Sequence, residues 1–420
     1  MDSKEHFAGA FDNLLFPKIF QTFRMSIQLS KLIIAFLAVA VIFLAGWIMD
    51  FSNTVVVMPD TQGKTTELQI YVENPEQFKS FLENYELKGE HTGVFITLWH
   101  FACRKLHGMS NSIFELNFIS ALDNLTDYLR ALKWAVRYHL IYSTIFFTIK
   151  FVVMVIAGGA ICRAAAMQFA RGERTGVGEA LRFSIKKFKS FFAAPLLPLA
   201  VVILAGLPVL LLGLLANIPY LGELIMSIFM PLALAAGFVM AVIIIGAIAG
   251  FNLMFPAIAY DNSDSLDAIS RSLSYVYAKP WRMTFYSAIA AVYGAICYAF
   301  VRFFAFLLLW VVHSFLRLGI WVNDSSGLFN KLNALWAGPA FENLGGQPVQ
   351  AALNRSESIA AFLIHLNVLV IIGLVIAFFV SFYFSANTII YSLMRNRLDN
   401  TALDKIYIPS ENSELASPDK

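Results

Sequence analysis

Long apolar runs, broken by short polar segments, dominate the hydrophobic pattern of this chain. They run from Leu32 to Met49, His139 to Ile161, Phe192 to Ala216, Leu224 to Gly250, Met283 to about Trp310, and Ile359 to Leu393. Roughly 20 mostly apolar residues make a helix long enough to cross a bilayer. The pattern therefore predicts an all-α membrane protein with about six transmembrane helices. The third run contains Pro195, Pro198 and Pro208. A spanning helix tolerates proline where neighbouring helices satisfy the freed carbonyls.

The fifth run leaves an alternative open. Apolar sequence continues from Met283 to Val322, with Arg302 dividing it. One long fifth helix followed by an interfacial segment over Leu307–Val322 gives six spans, and two helices give seven. Trp310, His313, Arg317 and Trp321 suit a membrane–water boundary. Seven spans would put Arg395 and Arg397 on the outer side, against the preference of basic residues for the cytoplasm.

Basic residues set the orientation. Lys4, Lys18, Arg24 and Lys31 precede the first run, and Arg163, Arg171, Arg174, Arg182, Lys186, Lys187 and Lys189 follow the second. Arg271, Lys279 and Arg282 precede the fifth, and Arg395, Arg397, Lys405 and Lys420 follow the last. Six spans place these four segments on one side, so both termini are expected in the cytoplasm of a bacterial inner membrane. The loop between the third and fourth runs has no Lys or Arg. The segment after the first run has eight, but long loops translocate largely regardless of charge. The first run reads as an uncleaved anchor rather than a signal peptide.

The resulting scheme has a cytoplasmic amphipathic N-terminus (1–31), a first span (32–49), an external loop domain (50–137) and a second span (138–161). A basic cytoplasmic helix (162–191), a hairpin of two spans (192–250) and a second cytoplasmic helix (251–282) follow. The fifth span (283–310), an external interfacial loop (311–358), the sixth span (359–393) and a cytoplasmic tail (394–420) complete it. The tail beyond Pro409 is polar enough to be disordered.

Inside the external domain, Thr54–Met58 and Leu68–Val72 read as strands, with Pro59, Asp60 and Gly63 in the turn. Asn74-Pro75-Glu76 reads as the start of a helix reaching Leu87. Phe95, Leu98, Trp99, Ala102 and Leu106 share one face of an amphipathic helix, and Leu116–Leu132 repeats the pattern. A short helix is expected near Leu328–Trp336.

Composition agrees with the membrane class. The 420 residues are 58% hydrophobic and 14% charged, against roughly 45–50% and 25% in soluble domains. A net charge of +3 carries no nucleic-acid signal. The three cysteines, Cys103, Cys162 and Cys297, form no disulfide or zinc framework. No P-loop, H-E-x-x-H, G-x-S-x-G or G-x-G-x-x-G pattern occurs. No cofactor and no nucleic-acid partner is therefore expected; the bilayer is, and a membrane-protein partner belongs to the alternative reading as an assembly subunit.

A pattern also recurs. Phe11–Lys31, Gly178–Phe188 and Ser265–Tyr275 each lead into a pair of spans. The last two share an acidic residue, Ala, an aliphatic residue, then a basic residue and Ser. Three hairpins preceded by cytoplasmic interfacial helices follow from this. The stretch Phe255-Pro256-Ala257-Ile258-Ala259, then Asp261, Asp264, Asp267-Ala268-Ile269-Ser270-Arg271-Ser272 and Lys279-Pro280-Trp281-Arg282, resembles a group of uncharacterised, planctomycete-like bacterial inner-membrane proteins. It is loosely similar to the membrane domain attached to some glycerophosphodiester phosphodiesterases. The resemblance covers Gly178–Arg282 and Tyr391–Tyr407. It implies a short helix entering a transmembrane hairpin; the stretch does not include the phosphodiesterase catalytic domain, so that activity is not carried over.

Four intramembrane polar residues are candidate sites: Lys150, Arg302, His365 and Asn367. Charge inside a span marks a pathway or a partner, but Arg302 also lies where its side chain could snorkel to the interface. His365, Asn367 and Asn387 could bond between helices or line a path, against a plain packing role. His100, Cys103 and His107 share a helix face, with His91 a loose fourth, but chance produces such sets readily. Asp261, Asp264 and Asp267 could hold a cation; capping of the next helix by Asp264 or Ser265 is the simpler expectation. Gly246 and Gly250, preceded by Gly237, form a small-residue face suited to close helix packing. The expected function is binding or transport of a lipid or small hydrophobic solute, with a structural or assembly subunit as the alternative. Catalysis ranks last, since no acid and base converge at one depth.

Overall fold

The computed structural model describes residues 15–60, 63–85, 90–322, 330–341, 343–346 and 353–408. Helices α1 (Thr22–Ser26) and α2 (Leu29–Met49) lead to strands β1 (Val55–Asp60) and β2 (Gly63–Thr66), helices α3 (Glu67–Glu73) and α4 (Phe78–Tyr85), and strand β3 (Glu90–Thr92). Then come α5 (Val94–Phe114), α6 (Phe118–Tyr138), α7 (Leu140–Arg171), α8 (Val177–Lys186), α9 (Phe188–Leu215) and α10 (Leu221–Asp261). The chain ends with α11 (Ser265–Ala278), α12 (Pro280–Gly319), α13 (Lys331–Leu335) and α14 (Arg355–Leu398).

Among the described residues, six helices are long and apolar enough to cross a membrane: α2, α7, α9, α10, α12 and α14. The protein is an all-α, multi-pass membrane protein carrying one small sheet. The side-chain environment of α9 and α10 makes the same point. Only 6% of the most apolar window of each is buried. Leu204, Leu211, Ile228, Leu232, Phe238, Ile245 and Ile248 stand exposed along them. So much uncovered apolar surface is stable only against hydrocarbon.

The fifth apolar run forms one unbroken helix, α12, with Arg302 inside it. The separate interfacial segment expected over Leu307–Val322 does not form; helix continues to Gly319. The Leu68–Val72 strand is also corrected, because those residues lie in α3. Thr66 Oγ1 accepts from Gln69 N, and Gln69 Oε1 accepts from Thr66 N, closing a capping box that starts the helix. β1 pairs instead with β2 and β3, both antiparallel, in the order β2–β1–β3. The short helix expected at Leu328–Trp336 is α13, and residues 323–329 lie outside the described residues. So does the tail from Pro409, for which disorder is expected.

The chain forms two compact units. The first comprises residues 1–34, 154–290 and 381–420. Its core uses small side chains on α7, with Ala160, Ala164, Ala165 and Ala166 fully buried, beside Phe191, Leu253, Met254, Ala257 and Tyr391. A Cβ at Gly159 would collide with Ser184 Oγ and the Phe191 ring, so glycine there lets α8 and α9 approach α7. Gly246 and Gly250 serve a similar purpose. They face Leu273, Tyr277 and the Ser272 backbone of α11, not another span.

The second unit comprises residues 35–153 and 291–380. Val55, Leu68, Val72, Phe78, Val94, Leu98, Phe101, Ala131, Trp134 and Ala135 form one of its cores. Tyr298, Ala305, Leu309, Trp336, Leu344, Val368 and Val375 form another. The side chain of Glu67 is embedded in the first, where Val56 N, Trp134 Nε1 and His139 Nε2 reach its carboxylate at 2.9, 3.0 and 3.3 Å.

Candidate functional site

Arg302 is 8% exposed. Its Nε and Nη2 donate to Phe341 O at 3.1 and 3.0 Å, and its Nη1 donates to Tyr298 Oη at 3.0 Å. The guanidinium also lies over the Phe341 ring, 5.5 Å from its centre. This is a charge held by carbonyl, phenol and aromatic face, tying α12 to the chain after α13. It does not snorkel into headgroup water.

Lys150 is half-buried and has no hydrogen-bond or ion-pair partner among the described residues. His365 and Asn367 are exposed on α14. Asn367 Nδ2 donates to Leu363 O of its own helix at 2.8 Å, and Asn387 Nδ2 to Tyr383 O at 2.9 Å. Neither amide bridges two helices through these bonds.

His100, Cys103 and His107 all lie on α5, but no three His, Cys, Asp or Glu side chains converge on a metal position among the described residues. Burial pushes the Cys103 thiol up to about 11, outweighing the opposing field of Arg302. Burial, helped by Arg104, lowers the His100 imidazole below its usual value. A protonated thiol is a poor ligand and a poor nucleophile at neutral pH.

Asp261, at the end of α10, is the centre of an ionic knot in the first unit. Arg395 Nη2 lies 2.9 Å from its carboxylate, Arg271 Nη1 3.3 Å, and Tyr391 Oη donates at 2.5 Å. Arg395 Nη1 reaches on to Lys405 O at 2.7 Å. Arg163 donates to Ala259 O and Tyr407 O, both at 2.9 Å. Asp264 sits at the N-cap position of α11, but its side chain makes no capping bond. It lies instead 3.7 Å from Lys187 Nζ. Asp267, in the first turn, pairs with Arg271 at 3.0 Å. The acidic cluster is thus spent on arginines, a lysine and a phenol, which leaves little carboxylate for a cation. Burial tends to lower the Arg271 guanidinium, but the bond to Asp267 and the fields of Tyr391 and Asp261 override it and hold it above its usual value. Burial and then the Asp399 carboxylate, which accepts its hydrogen bond, push the Tyr275 phenol up, so it stays protonated.

Two cavities differ in what they leave unsatisfied. One, in the second unit, has a volume of about 370 Å³ and is walled by Phe43, Trp47, Phe51 and Phe95. Its one carboxylate, Asp50, is occupied. It accepts from Phe95 N and Ile96 N at the start of α5, and from Tyr142 Oη, each at 2.8 Å.

The other, in the first unit, has a volume of about 600 Å³. It lies where α2 begins, α7 ends and α8 begins. Arg24, Gln28, Ser30, Gln168, Arg174 and Thr175 form its polar wall. Ile27, Leu29, Ile33 and Val177 form its apolar wall. Gln28 Oε1 and Thr175 Oγ1 are buried without a hydrogen-bond partner. Behind the wall, fully buried Lys31 donates from Nζ to Gln168 Oε1 at 2.6 Å. No acidic residue lines the cavity among the described residues.

The sequence shows Arg24, Lys31 and Arg174 only as charges that set orientation. Gln28, Gln168 and Thr175 give no signal there, because nothing local says that residues 24–33 meet residues 168–177. No protein-family model, curated protein or solved structure matches this chain.

Proposed function

We propose that this multi-pass membrane protein is non-enzymatic and binds a lipid or lipid-like amphiphile in the 600 Å³ cavity. One observation carries this reading: a wall of cationic and amide groups and a wall of aliphatic groups meet at the end of two spanning helices. An amphiphile needs both walls, at the depth where headgroup gives way to chain. Neither Arg302 nor Lys150 belongs to this site, so the ligand is taken at a different place from the one the sequence suggests.

The flanking charges support an orientation with both termini in the cytoplasm, and the membrane proposed is a bacterial inner membrane. The cavity then opens at the cytoplasmic leaflet, where anionic lipids draw basic residues.

The reading is tested by the lipid retained through gentle detergent purification, weighed by native mass spectrometry. The wild-type chain is expected to carry bound phospholipid. Ser30→Trp, which fills the cavity from its polar wall, is expected to retain about tenfold less, the loss of roughly 1.4 kcal/mol of binding. Equal retention, with unchanged thermal unfolding, would overturn the proposal.

A further inference from the structure

We infer that the cavity between α2, α7 and α8 recognises a phosphate group, presented as the headgroup of an anionic phospholipid. This rests on the proposed lipid site and names the chemistry that the site selects.

Three observations point to a phosphate. The first is the start of α8. Its N-cap residue, Gly176, has an extended backbone and offers no side chain to the first-turn N–H groups. Uncapped N–H groups at a helix start, with the helix dipole behind them, are suited to a phosphate oxygen. The second is Thr175, immediately before them. It is 5% exposed, lines the cavity, and its Oγ1 has no partner. A buried hydroxyl is rarely left without a partner from protein, water or ligand. The third is charge. Arg24 and Arg174 line the cavity and have no acidic partner among the described residues. Cations gathered without carboxylates are stabilised by an anion that arrives from outside.

Two acidic residues stand near and do not fill this role. Glu173 pairs with Arg171 at 2.9 Å. Glu179, in the first turn of α8, lies in the field of Arg163 and does not line the cavity. The aliphatic wall distinguishes a lipid headgroup from free phosphate. Ile27, Leu29, Ile33 and Val177 gain nothing from an inorganic ion, and the cavity is far larger than one.

The full-length chain is equilibrated in mixed micelles holding equal phosphatidylglycerol and phosphatidylcholine, and its bound lipid is then weighed. Phosphatidylglycerol is expected to be enriched, and each of Arg24→Gln and Arg174→Gln is expected to cut the enrichment about fivefold, the effect of one basic residue on an anionic lipid. Both side chains are exposed, so the fold should tolerate the changes. Thr175→Val keeps the shape and removes the orphaned hydroxyl. It should lower the enrichment while leaving the unfolding temperature unchanged or raised, which a structural hydroxyl would not do.

Lipid bound without preference for phosphatidylglycerol overturns this inference and leaves the lipid site standing. No bound lipid at all overturns both. Millimolar inorganic phosphate alone is the third arm. If it raises the unfolding temperature of the wild type but not of Arg174→Gln, and no lipid is enriched, the ligand is free phosphate and the headgroup assignment fails.

Discussion

Asp261→Asn is expected to destabilise the detergent-solubilised protein by about 3–5 kcal/mol, the usual cost of removing one partner from a buried ion pair. Asp261 and Arg395 are each only 10% exposed at the side chain, and they are 2.9 Å apart. An amide in place of the carboxylate leaves the Arg395 charge buried against half its former acceptor. The same change weakens the bonds from Tyr391 and Arg271. Arg395 also holds Lys405 O, so the segment 399–408 should loosen with it. Asp267→Asn is the control. Its carboxylate is 47% exposed, and the loss should stay within about 1 kcal/mol. Denaturant titration of both variants checks the pair of values. A similar small loss at both positions would show that the knot contributes little.

Glu67→Ala should have an effect of comparable size in the other unit. Glu67 is 3% exposed, and its carboxylate accepts from a backbone amide, an indole and an imidazole. Removing it strands three donors in an apolar core, at roughly 1–3 kcal/mol for each that water cannot reach. The donors belong to β1, α6 and the α6–α7 junction, so the loss falls on the packing of the small sheet against α6. Limited proteolysis reads it directly. Cleavage between residues 53 and 138 should become at least about tenfold faster, the consequence of some 1.4 kcal/mol or more of easier opening. Proteolysis at the wild-type rate would show that the carboxylate does not hold this segment together.

The spans are legible in the sequence because one local quantity decides them: some 20 consecutive, mostly apolar residues. Asn117 and Asn330 cap α6 and α13 with their own side chains, which is local information too. The segment Leu68–Val72 misleads for a physical reason. Leu68, Ile70 and Val72 alternate as in a strand, yet Leu68 and Val72 also stand one helical turn apart. The Thr66–Gln69 capping box and the burial of Glu67 decide for helix, and the second of these is tertiary. Arg302 shows the same limit. Its depth along α12 suggests an interfacial side chain, but its acceptor is Phe341 O, 39 residues further on. The cavity is the extreme case. Its basic residues carry a topological signal strong enough to mask any other, and its amides and hydroxyls carry none.

The proposed site depends on the four basic segments lying on one side of six spans. Impermeant maleimide applied to intact cells tests this most directly, with single cysteines introduced into a Cys103→Ala background; Cys162 and Cys297 are buried. Ser52, Glu173, Asn217 and Asp404 are exposed positions in the relevant segments. Ser52→Cys and Asn217→Cys should be labelled from outside, and Glu173→Cys and Asp404→Cys only after the membrane is opened. External labelling at position 404 would contradict the six-span arrangement, and external labelling at position 173 would remove the cavity from the cytoplasmic leaflet.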